Sequence, residues 1–203
     1  MKRLITLANI LILIGSGIYA NAQEPVPRRD AVRLATYLNF DLSVFDTTPI
    51  PSDADVKRPV AYREGEYAAL IVPESKLNPE TFVNAGSKAI VPVGQIWMHK
   101  IVPTKNGEAI SGDSFKTMPV TIRDETYNVM LCLLGARKKS DNTMELLMFG
   151  KDKEPLLTVP LIKTESKQDF PIEADVQRGD NSAKVTLKIV GKYQATFEVT
   201  SLE

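Results

Sequence analysis

The chain has 203 residues, with 25 basic and 25 acidic side chains, so its formal net charge is zero at pH 7. This balance argues against a nucleic-acid partner and against an anionic membrane surface, because both normally call for a marked basic excess. The chain contains one cysteine and one histidine. A lone cysteine forms no intramolecular disulfide, and a lone histidine removes most multi-histidine metal sites, so we expect no metal ion and no cofactor.

The N-terminus has the features of a secretory signal peptide in the expected order. Lys2 and Arg3 are followed by an apolar segment at 4–14, and residues 20–22 (Ala-Asn-Ala) form a small-x-small cleavage site. The apolar segment is well short of the roughly 20 residues that a bilayer-spanning helix needs. The sequence therefore predicts a signal peptide over residues 1–22 and no membrane span after its cleavage.

The predicted mature chain begins at Gln23 and is exported to the periplasm or outside the cell. Cys132 is far from the cleavage site, so we expect a soluble protein and not a lipoprotein. Residues 23–29 are rich in proline and polar residues and are predicted to be a flexible lead-in. Residues 30–203 are predicted to form a single β domain. A subdivision into two small β units near residues 103–114 is left open.

Two periodic patterns follow the lead-in. Asp30 is suited to cap a short helix, since apolar residues then share one face at the i, i+3, i+4, i+7 spacing: Ala31, Leu34, Ala35 and Leu38. After this helix, apolar residues alternate with polar ones, which predicts a first strand: Phe40, Leu42 and Val44.

The middle of the chain is predicted to be almost wholly β. Residues 67–72 form an apolar strand, and a proline and an acidic residue predict one helical turn at 79–84. Two apolar stretches within 88–102, a tight turn at 106–107 and a short strand at 118–122 follow.

The next part of the chain is the stretch around which the fold is expected to be organised. Residues 129–134 are an unbroken apolar run of strand length, which predicts a strand buried on both faces. The polar residues 138–142 are typical of a turn. Residues 144–149 are then predicted to fold back as the antiparallel partner of the central strand, and residues 156–161 to follow as a third strand.

The C-terminal part has the clearest β pattern. Apolar residues alternate with polar ones on both sides of Gly191: Val185, Leu187 and Ile189 before it, and Tyr193, Ala195, Phe197 and Val199 after it. A hairpin with one buried and one solvated face has this pattern. The predicted fold is therefore all-β, an antiparallel β-sandwich (Ig-like or jelly-roll-like) with a short N-terminal helix. A β-barrel is the alternative architecture.

Trp97 and His99 are the candidate ligand-binding residues. They lie two positions apart on a predicted strand, so their side chains point to the same face. An aromatic ring beside an imidazole can stack on a sugar ring or on a peptide, although an ordinary half-exposed strand is the simpler interpretation. His99 is also the one candidate base for any Ser-His-Asp or Cys-His arrangement.

Other motifs carry little weight. Cys132 lies in an apolar run, the reverse of the positive, exposed surroundings that a reactive thiolate needs, so we predict a core residue. The Gly-Asp-Ser sequence at 112–114 lacks the partners of an esterase motif. The Arg-Gly-Asp sequence at 178–180 has the composition that a turn requires. No catalytic residue and no metal ligand is predicted.

We therefore expect a non-catalytic, exported binding protein whose partner is an envelope protein, a glycan or another secreted protein. Two alternatives remain open from the sequence. The first is an extracytoplasmic hydrolase or glycan-active enzyme that uses paired carboxylates. The second is a carrier of a small ligand, which would need an apolar cavity inside a closed barrel.

Overall fold

The computed structural model describes residues 24–42, 48–83, 89–122 and 125–202. The predicted signal peptide lies outside the described residues. The first described element is a two-residue strand, β1 (Glu24–Pro25), near the start of the predicted lead-in, and it pairs with a later strand. Helix α1 (Arg28–Leu42) follows it.

Helix α1 is longer than the sequence pattern predicted. It contains Phe40 and Leu42, so the prediction of a first strand is wrong for these two residues, and Val44 lies outside the described residues. Leu38 and Leu42 are four positions apart, which suits one face of a helix as well as alternation suits a strand. Both leucines are buried, so packing extends the helix by one more turn.

Twelve further strands and one short helix complete the described chain. The strands in order are β2 (Val60–Glu64), β3 (Tyr67–Pro73), β4 (Val91–His99), β5 (Ile101–Lys105), β6 (Glu108–Ala109), β7 (Lys116–Ile122), β8 (Glu125–Lys138), β9 (Met144–Phe149), β10 (Pro155–Lys163), β11 (Ile172–Arg178), β12 (Ala183–Ile189) and β13 (Tyr193–Ser201). Helix α2 (Pro79–Val83) lies between β3 and β4, where the helical turn was predicted. Strands β2 and β11 and the two-residue strands β1 and β6 were not predicted.

The strands form one antiparallel sheet in the order β1-β2-β3-β4-β8-β9-β10-β13-β12-β11, with β7 beside β8, β5 beside β13, and β6 beside β5. The sheet curves into a nearly closed barrel, so the all-β prediction is confirmed and the architecture follows the barrel alternative. Strand β8 pairs with β4, β7 and β9 and is the centre of the sheet, as its apolar run indicated. Strands from both sides of residues 103–114 belong to this sheet.

Two hydrophobic layers stabilise the sheet, one on each face. The barrel interior contains alternate residues of the central strands, such as Met130, Cys132 and Leu134. The outer face of the same strands is covered by α1, whose Ala31, Ala35 and Leu38 pack in one cluster with the residues that point outward: Leu70, Trp97, Leu131, Leu133 and Phe149. A strand that is covered on both faces is apolar at every position, which explains the unbroken run in β8.

The C-terminal hairpin has the predicted register. Leu187 lies opposite Ala195, Ile189 lies opposite Tyr193, and all four side chains are buried in the barrel interior. Neither α1 nor α2, the two α-helices in the described part of the chain, has both the length and the apolar composition that crossing a membrane requires.

Candidate functional site

The two ends of the curved sheet approach each other without forming a ladder. One end is the β2–β3 hairpin with the two-residue strand β1 at its edge, and the other end is β11; we call the line between the hairpin and β11 the seam. Near the start of β11, a Cβ added to Gly94 would lie 3.1 Å from Ile172 Cδ1 and 2.6 Å from the Val72 carbonyl oxygen. There is no room for a side chain at position 94, so the seam is tightly packed at this end.

Side chains join the two ends farther along the seam. The backbone N–H of Ala174 donates a hydrogen bond to the Tyr62 phenolic oxygen at 3.1 Å. At the last residue of β11, the Arg178 Nε–H donates to Glu64 Oε2 at 3.0 Å, and its Nη2 contacts the other carboxylate oxygen. Both contacts join residues more than 100 positions apart in the chain, 112 for the first and 114 for the second.

A cleft of about 1010 Å³ opens where the seam widens toward Arg178. Its floor is made of buried apolar side chains from β3, β4, β12 and β13: Ile71, Ile96, Met98, Leu187 and Phe197. Half-buried Val176 and Val185 form part of its wall. The charged side chains that line it, which we call the rim, are Arg63, Glu64, Arg178, Asp180 and Glu198. An apolar floor with a charged rim suits a ligand that has an apolar body and a polar head.

Tyr62 contributes a phenol to the lining of this cleft. Burial raises the pKa of Tyr62 above its ordinary value because the phenolate would lose its hydration, while the hydrogen bond from the Ala174 N–H acts in the opposite direction. Nearby Glu173 and Asp175 also raise this pKa. Tyr62 is therefore neutral at physiological pH and keeps its hydroxyl proton for donation.

Trp97 and His99, the two candidate ligand-binding residues, differ in their exposure to solvent. Trp97 is only 2% exposed, and its indole N–H donates to Gln95 Oε1 at 2.9 Å. It packs in the layer beneath α1 and does not present its ring to solvent. His99 is half-buried at the end of β4, with Nδ1 2.9 Å from the Asn128 carbonyl oxygen and its ring edge-on to Tyr127. Binding by this pair stays a prediction, with only His99 near the surface.

His99 lines a second depression, of about 600 Å³, rather than the cleft. Lys100, Asp113 and Lys151 are its charged neighbours there. Lys100 already forms an ion pair with Glu66, and this depression is smaller than the cleft, so it has a weaker case as a binding site.

A buried polar chain extends from Trp97 to a carboxylate. Gln95, which accepts from Trp97, donates its own Nε2–H to Ser52 Oγ at 2.9 Å. Ser52 Oγ–H donates to Glu74 Oε1 at 2.5 Å, and the backbone N–H of Asp53 donates to Glu74 Oε2 at 2.6 Å. Glu74 is only 6% exposed, so these bonds hold the loop before β2 against the end of β3. Sequence reasoning missed this chain of hydrogen bonds, because Ser52 and Gln95 are 43 positions apart and meet only in the folded protein.

The remaining motifs have structural explanations. Cys132 is fully buried, and burial raises the pKa of its thiol to about 12, which confirms the prediction of a core residue. The Gly-Asp-Ser sequence forms a single 3-10 turn. The arginine of the Arg-Gly-Asp sequence is the partner of Glu64, so this turn does not present an unoccupied guanidinium. Among the described residues, no three His, Cys, Asp or Glu side chains are grouped closely enough to hold a metal ion.

No protein-family model, curated protein or solved structure matches this chain.

Proposed function

We propose that this protein is an exported, non-catalytic binding protein, and that the cleft at the seam takes a small ligand with an apolar body. The cleft carries the proposal: it measures about 1010 Å³ and has a floor of apolar side chains. Small-molecule sites are typically concave, mostly apolar and roughly 300–1,000 Å³ in volume. The signal-peptide features at residues 1–22 support export.

The shape of the cleft favours a small ligand over a protein partner. A protein interface generally needs a broad surface with exposed aromatic or aliphatic anchors, whereas here the apolar residues lie at the bottom of a concavity. A carrier of this kind fits the ligand-carrier alternative of the sequence analysis. Such a ligand could be a component of the cell envelope, in keeping with the expected location.

Hydrolysis by paired carboxylates has less support from the geometry. A general acid and a general base need two carboxyl groups that face a substrate across the cleft. Glu64 is engaged by Arg178, while Asp180 and Glu198 are exposed side chains at the edge of the cleft. The charged residues of the rim therefore fit an ion pair at the entrance of the cleft better than a general acid and a general base.

Uptake of Nile red, a neutral apolar dye, by residues 23–203 tests the proposal. We expect saturable binding with a rise in dye fluorescence, and we expect Val176→Phe, which fills the wall of the cleft, to weaken it about tenfold, equivalent to about 1.4 kcal/mol. Ile162→Phe is the matched control, because Ile162 is exposed on β10 and does not line the cleft. Equal dye affinity for Val176→Phe and the unaltered protein, with both folded, would place the site elsewhere.

A further inference from the structure

The ion pair at the entrance of the cleft joins two side chains of unequal exposure. The Arg178 side chain is 50% exposed, whereas that of Glu64 is 25% exposed. Arg178 is the last residue of β11 and precedes a tight turn in which the Gly179 N–H donates to the Ser182 carbonyl oxygen at 2.7 Å. Glu64 is likewise the last residue of its strand, and both strand ends are paired, Glu64 with Tyr67 and Arg178 with Ala183, so the two side chains differ mainly in their exposure. Arg178 is therefore the partner that can leave the pair more easily.

Moving Arg178 aside changes the charge of the rim. The carboxylates of Glu64, Asp180 and Glu198 would then face one remaining cation, Arg63, among the residues that line the cleft. Arg63 Nε–H donates to the Gly65 carbonyl oxygen at 3.1 Å, so this guanidinium is already oriented toward the β2–β3 turn. A negative rim above a floor of low dielectric focuses the field on the entrance and attracts cations.

The Glu64 carboxylate determines which kind of ligand can replace Arg178: neutral, anionic or cationic. It lies mostly out of solvent, and a buried carboxylate without a partner has lost hydration that nothing restores. A neutral ligand that displaced Arg178 would leave Glu64 in this condition, and an anionic ligand would add repulsion. A cationic ligand would restore both the charge and the hydrogen bond that Arg178 Nε–H donates to Glu64 Oε2.

We propose, building on the proposed function, that the cleft takes an amphipathic cation, an alkylammonium or alkylguanidinium, whose head replaces Arg178 on Glu64. The alkyl chain lies along the floor formed by Ile71, Met98 and Phe197. In the free protein, Arg178 occupies the place of the ligand's head and competes with it.

Calorimetric titration with three ligands of equal chain length tests this inference. Octylamine should bind about tenfold more tightly than octanol, since a charge-assisted hydrogen bond is stronger than a neutral one, and octanoate should bind most weakly. Glu64→Gln should abolish the preference for octylamine over octanol. Arg178→Gln should tighten octylamine binding about fivefold, the effect of removing an exposed ion-pair partner. Arg33→Gln, on the exposed side of α1 and outside the lining of the cleft, is the matched control and should keep the order and the affinities of the three ligands.

The outcomes separate the ligand class from the proposed function. Equal affinities for the three ligands, or tightest binding of octanoate, would overturn the cationic ligand and leave the cleft as a binding site. Absence of binding for all three, together with absence of Nile red uptake, would overturn the proposed function as well. The ligand series uses the unaltered protein, so its result does not depend on the folding of any variant. Circular dichroism and thermal melting of the variants establish that their titrations report on folded protein.

Discussion

At the scale of single residues, Glu74 is a carboxylic acid that the fold buries, with only 6% of the residue exposed. Burial raises the pKa of Glu74 above its ordinary value because the carboxylate loses hydration, while the hydrogen bonds from Ser52 and the Asp53 backbone lower it, and the nearby Asp53 charge raises it further. The raised value means that burial outweighs the two hydrogen bonds. At neutral pH, Glu74 is therefore a local cost to stability that the polar chain only partly offsets.

This cost predicts how stability depends on pH. Because the pKa of Glu74 is higher in the folded than in the unfolded protein, the folded state binds more protons between the two values. Its contribution to stability therefore grows as the pH falls through the folded pKa, and the full penalty is present above it. Glu74→Gln should raise the melting temperature near pH 7 and should flatten the pH dependence between neutral pH and the ordinary glutamate pKa of 4.5.

Fluorescence of Trp97 is the direct readout for this experiment, because Trp97 is the only tryptophan and is linked to Glu74 through Gln95 and Ser52. Glu108→Gln, a change at an exposed carboxylate on β6, is the matched control and should leave the profile unaltered. A Glu74→Gln profile parallel to that of the unaltered protein would mean that another group carries the pH dependence.

At the scale of elements, helix α1 has a defined role as the cover of the outer face of the sheet. Its apolar stripe was visible in the sequence, and Ala31, Ala35 and Leu38 are indeed the residues that pack against β3, β4 and β8. The stripe did not reveal where the helix ends, because Leu42 satisfies both the helical and the alternating pattern. Only the packing of Leu42 against the sheet distinguishes the two.

Leu38→Ala tests the contribution of this cover. Leu38 is completely buried, so its truncation should lower the free energy of unfolding by about 2–5 kcal/mol, the range for leucine deletions that leave a cavity. Urea denaturation measures the change. Arg33→Ala, on the exposed side of the same helix, should stay within about 0.5 kcal/mol of the unaltered protein. A similar small effect for Leu38→Ala would show that the helix contributes little to stability.

At the scale of the whole molecule, the barrel depends on both ends of the sheet curving around one interior. The β12–β13 hairpin supplies one side of that interior and part of the floor of the cleft, through Leu187 and Phe197. Strands β2 and β11 then meet at the seam through side chains instead of a ladder. The stability of the barrel and the shape of the cleft therefore share the same residues.

Leu187→Asp should abolish the cooperative unfolding transition. Leu187 is 0% exposed, and a carboxylate there would have no partner in an apolar interior, a change in the most destabilising class. Thermal melting followed by circular dichroism measures the effect. Gln177→Asp, on the exposed face of β11 opposite Lys184, introduces the same charge and should melt close to the unaltered protein. A Leu187→Asp variant that melts normally would contradict the register of the hairpin.

The sequence predicted a strand or helix correctly where the buried side chains follow the two-residue period of a strand or the 3.6-residue period of a helix. The alternation on both sides of Gly191 predicted the hairpin, and the apolar run at 129–134 predicted a central strand covered on both faces. Strand β11 also alternates, since Ile172, Ala174 and Val176 point toward the barrel interior or the cleft. The charged residues between and beside them, and the small side chain of Ala174, weaken the apolar pattern. Strand β2 is short and half polar and gave a still weaker pattern.

The sequence by itself determined that the chain is β-rich, that one helix has an apolar stripe, and that Cys132 is an inert core residue, because each of these depends on neighbours along the chain. Only the tertiary structure decided that Trp97 is covered by α1, that the sheet curves toward closure, and that Glu64 meets Arg178 above an apolar cleft. These features join residues that are far apart in the chain, such as Glu64 and Arg178, which are 114 positions apart. A local repeat specifies which side of a strand is buried, but not which distant strand buries it.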